Sequence, residues 1–211
     1  MKYLALIGDI KASKSISARD DVQVQLRSVC DHLNKQRDSM QLVSPFTITL
    51  GDEFQALFSS SIGIWRCIFN IESKLHPVRI RFGVGLGAID TEINETASIG
   101  MDGPAFHLAR EAITSLKSES GNYRVLGLSD AQELVLHTLD LVSHNRDAWR
   151  KNRLDIFCSL LEGRNVASMA KLLRITEQAV YKNIRKGQLE SVMGIFQGLS
   201  HLIELEIGGG D

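Results

Sequence analysis

The segment SPFTITLGDEFQALF, Ser44 to Phe58, decides how this chain folds. Phe46, Ile48 and Leu50 alternate with polar partners, the period of a half-buried strand. Gly51-Asp52 breaks the run and Phe54 to Phe58 resumes it. Two short apolar runs around a Gly-Asp pair predict a β-hairpin. Upstream, Tyr3–Ile7 is a continuous apolar run that ends at Gly8-Asp9, the pattern of a strand buried on both faces. Between them, Ser17 to Arg37 repeats Val22, Leu26, Val29, Cys30 and Leu33 at steps of three and four, which predicts a helix. Downstream, Ser59 to Leu75 predicts a second helix with Ile62, Trp65, Ile68 and Phe69 on one face, stopped by Pro77. VRIRFGVGLGAI (78–89) predicts a long strand; its glycines fit no Rossmann or Walker spacing and are read as sites of close packing. A polar loop over 90–103 leads to Pro104, suited to the first turn of a helix that runs to about Lys117. YRVLGL (123–128) is a fifth strand.

The order opens as β-α-β-β-α-β, the split-βαβ or ferredoxin-like arrangement. The expected fold is α+β: an antiparallel-based sheet with two helices over one face. After Ser129 every segment reads as helix: 130–145, 150–162, 165–173, 176–186 and 188–206. The chain is therefore divided into a sheet domain, 1–128, and an all-α domain, 129–211.

The 211 residues are 44% hydrophobic and 23% charged, enough apolar material for a core and too much for wholesale disorder. No apolar run reaches membrane length and no secretory leader is visible, so the expectation is a cytoplasmic protein without a membrane partner. Three cysteines, Cys30, Cys67 and Cys158, form no close pair in sequence and argue against a disulfide framework. The net charge of −1 hides an asymmetry. Arg146 to Gly187 holds ten basic and four acidic residues, a local net of +6 suited to a polyanion.

In the expected topology Asp9 lies near Asp52 and Glu53 at the hairpin tip. Crowded carboxylates repel, and a hard divalent cation, Mg²⁺ or Mn²⁺, relieves that cost while binding phosphate oxygens as well. These three are the candidate metal ligands. SIGMDGP (98–104) precedes a helix N-terminus that can cradle phosphate through its N–H groups. His107 with Asp102 forms a candidate acid/base pair. Gly51, Asp102, Gly103, His107 and Arg110 are the candidate nucleotide contacts; no catalytic residue is assigned.

GDI at the end of the first strand and LGDEF at the hairpin are similar to the palm domain of class III nucleotide cyclases and GGDEF-type diguanylate cyclases. More narrowly, LIGDIKASK, GDEFQALF, RFGVGLGAI and IGMDGPAFHLAREAI, followed by a helical domain, resemble the SatD family of bacterial proteins over nearly the whole chain. The cyclase resemblance implies metal-dependent nucleotide binding. It also implies an Asn and, four residues on, an Arg on the helix after the fourth strand; those places hold His107 and Glu111, which argues against efficient cyclisation. Leu50 stands where GGDEF enzymes have their first Gly.

NVASMAKLLRITEQAVYKNIRKG (165–187) breaks at Arg174-Ile175, with Thr176 a good N-cap. Val166, Met169, Ala170, Ala179, Val180 and Ile184 are expected to point inward. Ala170, Ile175 and Val180 are spaced as in the helix-turn-helix of bacterial regulators, which this stretch resembles, with Arg174 where Gly is more usual. A second helix in the major groove would present Glu177, Gln178, Tyr181, Lys182 and Arg185. The candidate DNA contacts are Arg174, Thr176, Gln178, Tyr181, Lys182, Arg185 and Lys186. The last helix is apolar and lacks Lys and Arg, which suits packing or a homodimer whose reading helices sit about 34 Å apart. The leading reading is a DNA-binding regulator whose palm domain binds a nucleotide or metal–nucleotide. The alternative is a nucleotidyl cyclase or nucleotidyltransferase using Asp9, Asp52 and a divalent metal; a third reading makes the palm a dimerisation scaffold without ligand.

Overall fold

The computed structural model describes residues 1–11, 19–49 and 51–209. The expected helix start at Ser17 and the strand position Leu50 lie outside the described residues. The order is β1 (Tyr3–Ile10), α1 (Arg19–Asn34), β2 (Leu42–Ile48), β3 (Glu53–Phe58), α2 (Ile64–Leu75), β4 (Ile80–Gly87), α3 (Pro104–Ser118) and β5 (Tyr123–Leu126). Then follow α4 (Gln132–Asp147), α5 (Lys151–Leu161), α6 (Val166–Leu173), α7 (Glu177–Gly187) and α8 (Leu189–Gly208).

The strands form one sheet in the order β2-β3-β1-β4-β5. β1 runs antiparallel between β3 and β4, as the ferredoxin-like reading requires. Pro45 has no N–H to donate and sits in β2, the edge strand, where register shifts interrupt the ladder. Strand alternation sends Leu4, Leu6, Phe54, Phe58, Phe82 and Val84 to one face, where α1 and α2 cover them. Ala5, Ile7 and Leu57 point to the other face and meet Ala105, Phe106, Ala109 and Ile113 of α3.

α3 takes that second face because β5 is parallel to β4, and a parallel pair needs a crossover. Alternate glycines of β4 let it lie close. A Cβ on Gly85 would stand 2.1 Å from the Ala105 carbonyl oxygen, and one on Gly83 2.6 Å from that of Ala109. The second helix begins later than the sequence pattern indicates, at Ile64, and Ile62 is 66% exposed rather than inward. Ser59–Gly63 is a turn, so the 3.6-residue period that places Ile62 on the buried face does not yet apply there.

The helical part does not stand apart from the sheet. One buried hydrophobic cluster runs from Leu4 to Ile203. Phe196 of α8 enters it, with ring centroids 4.6 Å from Trp65, 5.1 Å from Phe69 and 6.0 Å from Tyr123. Beside this aromatic group, Glu72 of α2 accepts from Arg146 Nε of α4 at 3.0 Å and from the Tyr123 hydroxyl of β5 at 2.8 Å. Glu72 and Arg146 are both fully enclosed. Burial pushes the Glu72 carboxyl up and the Arg146 charge opposes that shift. The three cysteines are unbridged, and burial raises each thiol to about 12, so they pack rather than react.

Candidate functional site

The sheet register sets Glu53, Asp9 and Arg81 side by side, because Asp9 is paired with Glu53 across one edge of β1 and with Arg81 across the other. All three alternate with core residues and so face α3. From α3, Arg110 and Lys117 reach down; seven positions are about two helical turns, so both share one helix face. Arg110 grips Glu53 with both terminal nitrogens, Nη1 to Oε2 at 2.5 Å and Nη2 to Oε1 at 2.6 Å. Arg81 Nη1 lies 3.1 Å from Asp9 Oδ2 and Lys117 Nζ 3.1 Å from Asp9 Oδ1. Arg81 Nε also donates to the Leu116 carbonyl at 2.8 Å. Two carboxylates directly opposite on neighbouring strands would repel; three cations separate and neutralise them. The bonds to Glu53 raise the Arg110 pKa further, so its charge is permanent.

Asp52 lies in the hairpin turn beside Glu53, and its Oδ1 accepts from Arg19 Nη2 at 3.0 Å. Gly51 takes the left-handed φ of +64° that the turn needs. Among the described residues no group of three or more His, Cys, Asp and Glu side chains converges as a metal shell would. Asp9 and Glu53 make a pair, and one or two carboxylates are what Mg²⁺ takes when phosphate oxygens and water complete its shell.

The loop before α3 brings His107 and Asp102 together, Nε2 to Oδ1 at 2.7 Å, with both side chains about two-thirds exposed (68% and 69%). The phosphate cradle expected there is closed by the protein's own acceptors. The Gly103 N–H is bound by Asp102 Oδ1, the Ala105 N–H by the Ala88 carbonyl, and those of Phe106 and His107 by the Gly103 carbonyl. Glu111 is exposed, and its neighbour Arg110 is the residue turned toward the sheet. Arg81, Lys117 and Arg19 were not singled out by sequence reasoning. The alternation of Arg81 with Ile80 and Phe82, and the spacing of Lys117 from Arg110, are the signals that mark them. The contacts with Asp9 follow only from the register.

In the helical part, α6 and α7 are joined by a tight turn. Asn165 Oδ1 caps α6 through the Ser168 N–H at 2.8 Å, and Thr176 Oγ1 caps α7 through the Ala179 N–H at 3.1 Å. Arg174 occupies the left-handed region, φ 54° and ψ 45°, between them. Met169, Ala170, Val180 and Ile184 are buried; Val166 and Ala179 are partly so. Glu177, Gln178, Tyr181, Lys182, Arg185 and Lys186 are all exposed. None of Arg174, Lys182, Arg185 and Lys186 has an ion-pair partner among the described residues. The local excess of basic residues is not one surface, however. Arg146 is buried against Glu72, Lys151 is paired with Asp155 and Arg164 with Glu162.

A sheet of this order with an acid pair at the β1–β3 junction, followed by five helices, defines a ferredoxin-like α+β protein with a helical C-terminal part. The chain belongs to the SatD family, whose family model matches residues 3–190. It is similar in structure to a bacterial light-regulated adenylyl cyclase, with a TM-score of 0.44 and 17% identity over 59% of this chain and 74% of that one. A second structure of a bacterial light-regulated adenylyl cyclase gives 0.40 and 14% over 59% of this chain and 43% of that one. No curated protein matches the sequence. Among the described residues no helix is long and apolar enough to cross a membrane.

Proposed function

We propose that this protein is a DNA-binding regulator: α7 reads duplex DNA, and the palm sheet holds a nucleotide effector. The observation that carries the reading is the outer face of α7. Long cationic side chains stand there exposed and unpaired, on a helix whose opposite face is locked into the core by Val180 and Ile184. A solvated helix face usually intersperses acids with its bases, and this face has Glu177 alone, at the N-terminus where it complements the helix dipole. Lys182, Arg185 and Lys186 supply phosphate contacts. Gln178 is the base reader, because its amide can pair bidentately with adenine. Thr176 is engaged as a cap and contributes position rather than readout.

In the palm, Asp9 and Glu53 are the residues that would hold a divalent ion, with Asp52 beside them. The ion would supply counter-charge to these carboxylates and to the phosphates of a nucleotide. Arg110, Lys117 and Arg81, which supply that counter-charge in its absence, would then be available to phosphate oxygens. The net positive balance of this five-residue row, three cations to two carboxylates, favours an anionic ligand.

The test is a salt titration of binding to random duplex DNA. Three or four neutralised phosphates per subunit give a log–log slope of about −3 to −4, doubled in a homodimer. Lys182→Ala with Arg185→Ala should weaken binding to all sequences and flatten that slope by about 2 per subunit. An unchanged affinity and slope would remove α7 as the reading head. For the palm, calorimetry with ATP and GTP in Mg²⁺ or Mn²⁺ should show binding without turnover. Release of pyrophosphate would instead establish the nucleotidyl cyclase or nucleotidyltransferase reading, which the Asp9–Glu53 pair alone favours.

A further inference from the structure

A cleft of ≈ 510 Å³ opens between α2, the end of α5 and the middle of α8, on elements of both parts of the molecule. Its walls are apolar: Trp65, Phe196, Leu160 and Met193. Trp65 is fixed there by its Nε1–H donating to Ser200 Oγ at 2.9 Å and by packing on Phe196. Three polar side chains, Arg66, Gln197 and Ser200, interrupt this apolar lining.

Arg66 has no structural account. It makes no hydrogen bond and no salt bridge among the described residues, and its Nε is buried without an acceptor. One turn on, the Asn70 side-chain oxygen is buried without a donor. Leaving a buried donor unmade costs about 1–3 kcal/mol, and more on a charged group. Arg146 is held by Glu72 and Arg124 by Glu119 and Asp140. Arg153 of α5, like Arg66, has a buried Nε without an acceptor and no ion pair among the described residues, but of the two only Arg66 lines the cleft. A partly buried guanidinium without an ion pair, set beside aromatic and aliphatic walls, can take an anionic partner from outside the chain. We infer that the cleft binds a small amphipathic carboxylate, its apolar body against Trp65, Leu160 and Met193 and its carboxylate on Arg66.

A monocarboxylate fits better than a phosphate. One arginine fork matches one carboxylate, whereas the second negative charge of a dianion would meet only neutral donors, Gln197 and Ser200, and no second cation. The volume is in the range of small-molecule sites, which are mostly apolar with a few convergent polar groups. The cleft is bounded by Leu160 to Gly163, the segment that leads directly into α6, so an occupant would touch the base of the helix pair that carries the basic face.

The experiment uses the full chain with three probes: octanoate, which has chain and charge; octanol, which has the chain alone; and acetate, which has the charge alone. Octanoate should bind saturably at one per chain by calorimetry and change the tryptophan fluorescence. Octanol should bind at least about tenfold more weakly, the loss expected when an ionic hydrogen-bonded contact is missing. Acetate should not bind. Arg66→Met should bring octanoate down to the affinity of octanol without lowering the melting temperature, since it removes an unpaired charge. Met193→Trp, which fills the cleft and leaves Arg66 in place, should abolish binding of both. Equal binding of octanoate and octanol, no binding of either, or undiminished octanoate binding by Arg66→Met would overturn the inference. None of these readouts depends on DNA or nucleotide binding.

Discussion

Arg174 is the residue where sequence and structure pull against each other most clearly. The turn between α6 and α7 requires a left-handed residue, and Arg174 adopts it at φ 54°. A non-glycine side chain there costs roughly 1–2 kcal/mol. Glycine would be the more stable choice here; under the proposed DNA-binding reading the arginine contributes a charge at the turn. Arg174→Gly should raise stability by about 1 kcal/mol in urea unfolding and weaken DNA binding together with its salt dependence. If the variant is stabilised and binds DNA as before, Arg174 has no role at the phosphates. Gln178→Ala should leave non-specific binding intact and cost about 1–3 kcal/mol at one base position. The contrast between these two variants separates holding DNA from reading it.

At the scale of elements, the contact of α3 with the sheet determines the palm site. Arg110 and Lys117 reach the acid pair only because α3 lies against backbone at Gly83, Gly85 and Gly87. Gly85→Ala introduces a Cβ that meets the Ala105 carbonyl, so the helix must lift. Overpacking of this kind costs about 1–3 kcal/mol. The lift should also loosen the Arg110–Glu53 grip, which a nucleotide titration detects as weakened binding in a variant that still folds. Unaltered stability in Gly85→Ala would show that α3 is free to shift and is not what fixes these cations. α8 is pinned by charge as well as by Phe196: Glu206 bonds Lys2 Nζ and the Ser129 N–H at 2.7 Å each, and also the Ser129 hydroxyl. These contacts hold its carboxyl down to about 2. A lowered folded-state pKa stabilises above the ordinary carboxylate value and loses that contribution as pH falls through about 2. The melting temperature of the native chain should therefore fall from pH 5 to pH 2.5 more steeply than that of Glu206→Gln.

For the whole molecule, the sheet and the helices should unfold as one. Their shared core and the Glu72–Arg146–Tyr123 group leave no seam. Circular dichroism at the helix band and fluorescence of Trp65 and Trp149, both buried where the two parts meet, should give coincident urea transitions. An earlier transition in either signal would mean that the helical part opens independently. Arg146→Met strands a buried carboxylate and should cost about 3–5 kcal/mol, whereas Glu72→Met with Arg146→Met should recover most of it.

Local pattern was enough for the element order. Period-2 alternation in the hairpin, the apolar run of the first strand and the heptad-like spacing of α1 each bury a face, and burial is what a pattern encodes. The cap Thr176 and the outer face of α7 are equally local, so the second helix of the pair was legible down to its exposed residues, whereas the Asn165 cap came from the structure. Tertiary structure decided what pattern does not carry. Which face α3 covers depends on the parallel pairing of β5, and the pairing of Asp9 with Arg81 and Lys117 depends on register and on the close approach over Gly85. The burial of Arg146, one of the ten basic residues counted as surface charge, follows from α4 docking against β5, which brings Arg146 to Glu72 of α2. Charges are placed by their partners, and partners distant in sequence meet only when the chain is folded.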